Sequence, residues 1–125
     1  MRRGLRLGTV MMAFAVVSAC GSGGTTFDSA KSIVNTVQAK ALHCVSQSDA
    51  SGELFTKDGW ECDTTSGGGG VVTAYVFSDD GNRDNWLKVA RGFGGNYVVG
   101  NRWVVATDTP ALAQQVQHVL GGTIK

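Results

Sequence analysis

Two apolar runs, Tyr97-Val98-Val99 and Trp103-Val104-Val105, stand on either side of Gly100-Asn101-Arg102. Short runs rich in β-branched and aromatic residues read as strands, and a Gly-Asn pair suits a two-residue β-turn. A turn at Gly100-Asn101 puts Val98 opposite Trp103 and Tyr97 opposite Val104. Successive side chains of a strand point to opposite faces, so this hairpin is apolar on both. One face must meet helices. The other must be covered or left open for binding, and Tyr97, Arg102 and Val104 are the residues an open patch would present to a partner.

The flanking segments supply the helices. From Phe27 to Leu42 the apolar residues fall at 27, 30, 33, 34, 37, 41 and 42, which is helical spacing, with Asp28 placed to cap the first turn. Residues 45–52 are small and polar and read as a loop. Glu53–Thr56 and Trp60–Thr64 read as short strands joined at Lys57-Asp58-Gly59, and a glycine run through Gly70 leads into a strand from Val71 to Phe77. Acidic residues at 79 and 80 open a second helix that Gly92 ends, with Trp86, Leu87, Val89 and Ala90, followed by Phe93, as its apolar face. Thr109 caps a third helix with Pro110 in its first turn, and Gly121-Gly122 ends it. The order α-β-β-β-α-β-β-α predicts an α+β domain, an antiparallel sheet of about four or five strands with helices packed on one side.

The N-terminus carries a different message. Arg2, Arg3 and Arg6 precede an apolar run from Thr9 to Ala19, the pattern of an export signal, and the run is short of the about 20 residues that span a bilayer. Val17-Ser18-Ala19-Cys20 resembles the lipobox of bacterial lipoprotein precursors. The resemblance implies cleavage before a cysteine that carries a diacylglycerol thioether, hence a lipid anchor on the extracytoplasmic face of the cell membrane. Residues 1–19 are then a signal peptide, 20–26 a flexible tether and 27–125 a single domain. A secretory cut after Ala19 is the alternative; it would leave Cys20 as a free thiol.

In an oxidising compartment the other two of the three cysteines, Cys44 and Cys62, are expected to pair. Loss of the three signal arginines turns the formal charge from +1 into a small negative value. A faintly acidic body without a basic cluster argues against nucleic acid.

Motifs for chemistry are absent or incomplete. The glycine run lacks the Lys-Ser/Thr of a phosphate loop and precedes a strand. Asp80-Gly81-Asn82-Arg83-Asp84 alternates oxygen ligands, but Asn85 and Arg91 occupy the positions where a calcium loop needs glycine and an acid. The two histidines, His43 and His118, lie in no nucleophile or zinc motif. Glu61 and Asp63 would share a strand face and read as a solvated pair. No enzyme activity, cofactor or metal is expected.

The stretch from Arg83 to Ala90, and that from Phe93 through Tyr97, Arg102, Trp103 and Val104 to Val105, resemble segments of small lipoproteins and secreted domains of actinobacteria. That resemblance implies no activity and no functional residue. The expectation is a lipid-anchored, non-enzymatic interaction module for a protein or cell-envelope partner. Two alternatives stand beside it: a superinfection-exclusion lipoprotein of phage type, and an envelope protein that binds a small ligand in a concave aromatic pocket.

Overall fold

The computed structural model describes residues 25–125. Residues 1–19, Cys20 and most of the tether lie outside them. The domain is α+β, with a six-stranded antiparallel sheet and three helices. In chain order these are α1 (Ala30–Lys40), β1 (Cys44–Asp49), β2 (Asp58–Thr64), β3 (Gly70–Val76), α2 (Asp80–Arg91), β4 (Asn96–Gly100), β5 (Trp103–Thr107), α3 (Pro110–Leu120) and β6 (Thr123–Ile124). Across the sheet the strands run β1-β2-β3-β5-β4-β6.

The hairpin of β4 and β5 forms with a register two residues from the expected one. The turn is Asn101-Arg102, Gly100 pairs with Trp103, and Val98 pairs with Val105. Arg102 takes a left-handed backbone conformation (φ 60°), held by a hydrogen bond from its N–H to the Asp80 carboxylate at 2.9 Å. A shift of two residues leaves every side chain on its expected face.

On the first face Val98, Trp103, Val105, Val72, Ala74, Val76 and Cys62 pack under α1 and α3. Ala30, Ile33, Val34 and Val37 come from α1, and Leu112, Ala113, Val116 and Leu120 from α3. Trp103 is fully buried; its indole N–H donates to the Thr25 carbonyl at 2.9 Å and its ring meets Phe27 edge-on. Gly100 lies directly against that indole, where any Cβ would collide with the ring.

The expectation that all helices share one side is corrected here. Trp86 and Leu87 of α2 lie on the opposite face, over Tyr97, Val99 and Val104, with Phe77 completing this second core. Of the two outcomes open to the second apolar face of the hairpin, it is covered, by α2.

Several ends also differ from the expectation. Ser29, not Asp28, caps α1, and the first helical N–H, that of Ala30, donates to the Asp58 carboxylate at 2.8 Å. Residues 44–49 form edge strand β1, whose mostly exposed polar side chains carry no hydrophobic alternation to announce it. Pairing with β2 and the Cys44–Cys62 disulfide (Cα–Cα 5.5 Å) hold it in place. Residues 53–56, expected as a strand, belong to the loop between β1 and β2. The chain beyond Gly122 adds β6, which pairs with β4. At α3 the expected cap forms: the Thr109 hydroxyl accepts from the Leu112 N–H, with Pro110 following.

Two outcomes test this packing. Gly100→Ala overpacks the Trp103 site and should cost about 1–3 kcal/mol, seen as a fall in melting temperature with Trp103 fluorescence shifting towards the solvated value. Reduction of the disulfide, which closes a loop with a sequence separation of 18, should cost about 3 kcal/mol in denaturant titrations.

Candidate functional site

Helix α2 is clamped to the hairpin at both ends. At its start the Arg83 guanidinium donates to the Gly100 carbonyl at 2.7 Å while pairing with Asp80 and Asp84 at 2.9 Å. At its end the Tyr97 hydroxyl donates to the Gly94 carbonyl, with the Ala90 carbonyl 3.0 Å away. The Asp79 side chain caps the first turn by accepting from the Asn82 N–H at 2.8 Å.

Facing α2 across the sheet is the loop of residues 50–57, which is tied down along its length. Ala50 N–H donates to the Gly59 carbonyl at 3.0 Å, and a side chain at Gly59 would strike the Ala50 carbonyl. The Ser51 hydroxyl and N–H donate to the Asp49 carboxylate, which these bonds hold below the usual carboxylate range. The Thr56 N–H and hydroxyl both donate to the Glu53 carbonyl, and the Lys57 N–H reaches the Val76 carbonyl at 2.8 Å. This frame presents Leu54 and Phe55 as a pair, Phe55 in a left-handed conformation (φ 70°).

Between the loop and α2 opens an apolar recess of about 270 Å³. Leu54 and Phe55 form one wall, Trp86, Val89, Ala90 and Phe93 the other, Tyr97 and Ala106 belong to the strands beneath, and Glu53 supplies the charge at the rim. The rim is unusually bare for a small domain: Phe93 is 89% exposed, Leu54 70% and Val89 54%. Tyr75 packs against Trp86 with ring centroids 4.8 Å apart and the planes tilted by 44°. Its phenol is pushed up to about 12 by burial first, then by the carboxylates of Glu53 and Glu61. Burial also raises the Tyr97 phenol, against the opposing pull of Arg91.

The residues singled out from sequence are distributed differently. Tyr97 and Val104, expected on an exposed patch, are 7% and 0% exposed because α2 roofs them. Tyr97 still contributes to the recess, whereas Arg102 sits exposed at the hairpin turn. Cys44 and Cys62 are joined. Cys20 lies outside the described residues. His43 precedes β1 and His118 ends α3, both exposed. Glu61 and Asp63 do share one face of β2, and Asp63 accepts from the Ser46 hydroxyl at 3.1 Å.

Leu54, Phe55, Val89 and Phe93 were not evident as site residues, because each reads naturally as part of a strand or a helix core. The available signal is at Phe93: a phenylalanine between Gly92 and Gly94-Gly95 has no regular element to bury it. Chemically the recess offers shape and apolar surface rather than a nucleophile with a base. Among the described residues no three His, Cys, Asp or Glu side chains come together to hold a metal ion, and no helix is long and apolar enough to cross a membrane.

The two tyrosines are the chain's only ones, so a tyrosinate absorbance titration reports them directly. Tyr75 should show no transition at the ordinary value of 10.0 and Tyr97 should be shifted upwards from it, and Glu53→Gln with Glu61→Gln should move Tyr75 back towards it. The fold keeps both phenols protonated above the pH at which the unfolded chain ionises. Their contribution to stability is therefore complete below that pH and is lost as the pH rises above it, for Tyr75 from 10.0 towards about 12. The chain matches no family model, no curated protein and no solved structure.

Proposed function

We propose that this protein is a lipid-anchored, extracytoplasmic interaction module, held at the cell membrane through Cys20 and without enzymatic activity, that engages a protein or cell-envelope partner at the recess between α2 and loop 50–57. The observation that carries the reading is the uncovered apolar rim of Leu54, Val89 and Phe93. These side chains stand on a frame fixed by hydrogen bonds at both ends of α2 and along the loop, so they do not collapse inward. Contiguous exposed apolar surface on a rigid support is characteristic of partner sites, where a few large side chains dominate the energy.

The recess is smaller than the about 300–1,000 Å³ of typical small-molecule pockets, and its most apolar residues project around the mouth instead of closing over a cavity. That shape suits one side chain inserted from a larger partner better than an engulfed ligand.

The anchor and the recess are tested separately. Cys20→Ser should release the chain into the medium or leave the precursor uncut, and the wild-type mature mass should exceed the peptide mass by acyl chains. An unmodified mass refutes the anchor. Crosslinking on intact cells should recover a partner with wild type and lose it with Leu54→Ser/Phe93→Ser. Those exposed substitutions should change stability by no more than about 0.5 kcal/mol. Equal recovery by both forms would rule out the recess as the contact.

A further inference from the structure

Beyond the recess the second face of the sheet carries two half-buried carboxylates and a buried threonine. Trp60, Cys62 and Thr64 of β2 point to the first face, so Glu61 and Asp63 point to the second, beside the Ser46 and Ser48 positions of β1 and Thr73 of β3. Glu53 stands at the recess rim. Tyr75 links these groups: it packs against Trp86 of the recess and lies within the field of both Glu53 and Glu61. Among the described residues none of these three carboxylates is in an ion pair. Arg83, Lys88, Arg91 and Lys125 line a groove on the other flank of α2, from which Arg91 also acts on Tyr97 of the recess, and Lys57 is the cation of the loop itself.

From this juxtaposition we infer that the partner segment is a cationic polypeptide, seating one large apolar side chain in the recess and laying a lysine or arginine against Glu61 and Asp63. The inference rests on the reading of the recess as the partner site. The span favours a polypeptide. Ala106 of the recess floor pairs with Thr73, and Thr73 with Glu61, so Glu61 lies two strands away, about 10 Å at roughly 4.8 Å per strand, with Asp63 two residues further along β2, a reach of about three to four extended residues. Acidic side chains along that path select partners by charge and steer their approach.

The test uses the full chain in vesicles of neutral phospholipid, panned against a random displayed peptide library with empty vesicles as the control. Enriched peptides should carry Phe, Leu, Ile or Trp within about four residues of Lys or Arg, the spacing set by that span. Their binding should weaken about tenfold in Glu53→Gln/Glu61→Gln/Asp63→Asn and fall with added salt. It should be lost in Phe93→Ser. Salt dependence of the wild type gives a second reading that needs no variant. Apolar peptides without a cation, indifferent to the triple variant and to salt, would overturn the charge inference while leaving the recess as a partner site. Enrichment that Phe93→Ser does not reduce, or no enrichment over empty vesicles, would overturn both.

Discussion

The two apolar faces of the β4–β5 hairpin are the constraint on which the rest of this domain depends. Strand alternation sends Val98, Trp103 and Val105 one way and Tyr97, Val99 and Val104 the other, and neither set can remain in water. Helices α1 and α3 answer the first set, and α2 the second. The assignment is enforced at the turn. Arg102 is held by Asp80 from the first turn of α2, while Arg83 of the same helix binds the Gly100 carbonyl. On the first face the same turn brings Gly100 against the indole of Trp103, whose N–H holds the chain at Thr25. The turn thus ties together both cores and the start of the domain.

What could be read from residues alone follows from which forces are local. The cap at Thr109 and the turn residues at Asp79 and Gly92 act within one helix turn, and those ends form as read. The hairpin register slipped by two because the turn is chosen by a tertiary bond from Arg102 to Asp80, although the choice of faces survived. Edge strand β1 was illegible for a related reason. Val45, Ser46, Gln47 and Ser48 are exposed, so their strand is defined by backbone pairing to β2 and a covalent cross-link rather than by burial. The side taken by α2 depends on what is already covered, and that is a property of the assembled sheet.

The recess was hidden for the same cause, and its origin is geometric. Six strands at about 4.8 Å spacing make a sheet roughly 24 Å across, whereas one helix is about 10 Å wide. Two helices cover the first face; α2 alone covers little more than two strands of the second. The sequence accommodates most of that deficit by making the remainder polar: Ser46 and Ser48 on β1, Glu61 and Asp63 on β2, next to the buried Thr73 of β3. At the boundary the substitution stops short. Ala106 lies half-buried beside the roofed Tyr97, and instead of burying Val89 and Phe93 over it the chain turns these outward and sets Leu54 and Phe55 opposite. A sequence shaped only for stability would place polar residues at 54, 89 and 93, since none of the three contributes a buried side chain to either core. Their exposed apolar side chains are the surface on which the proposed partner site rests.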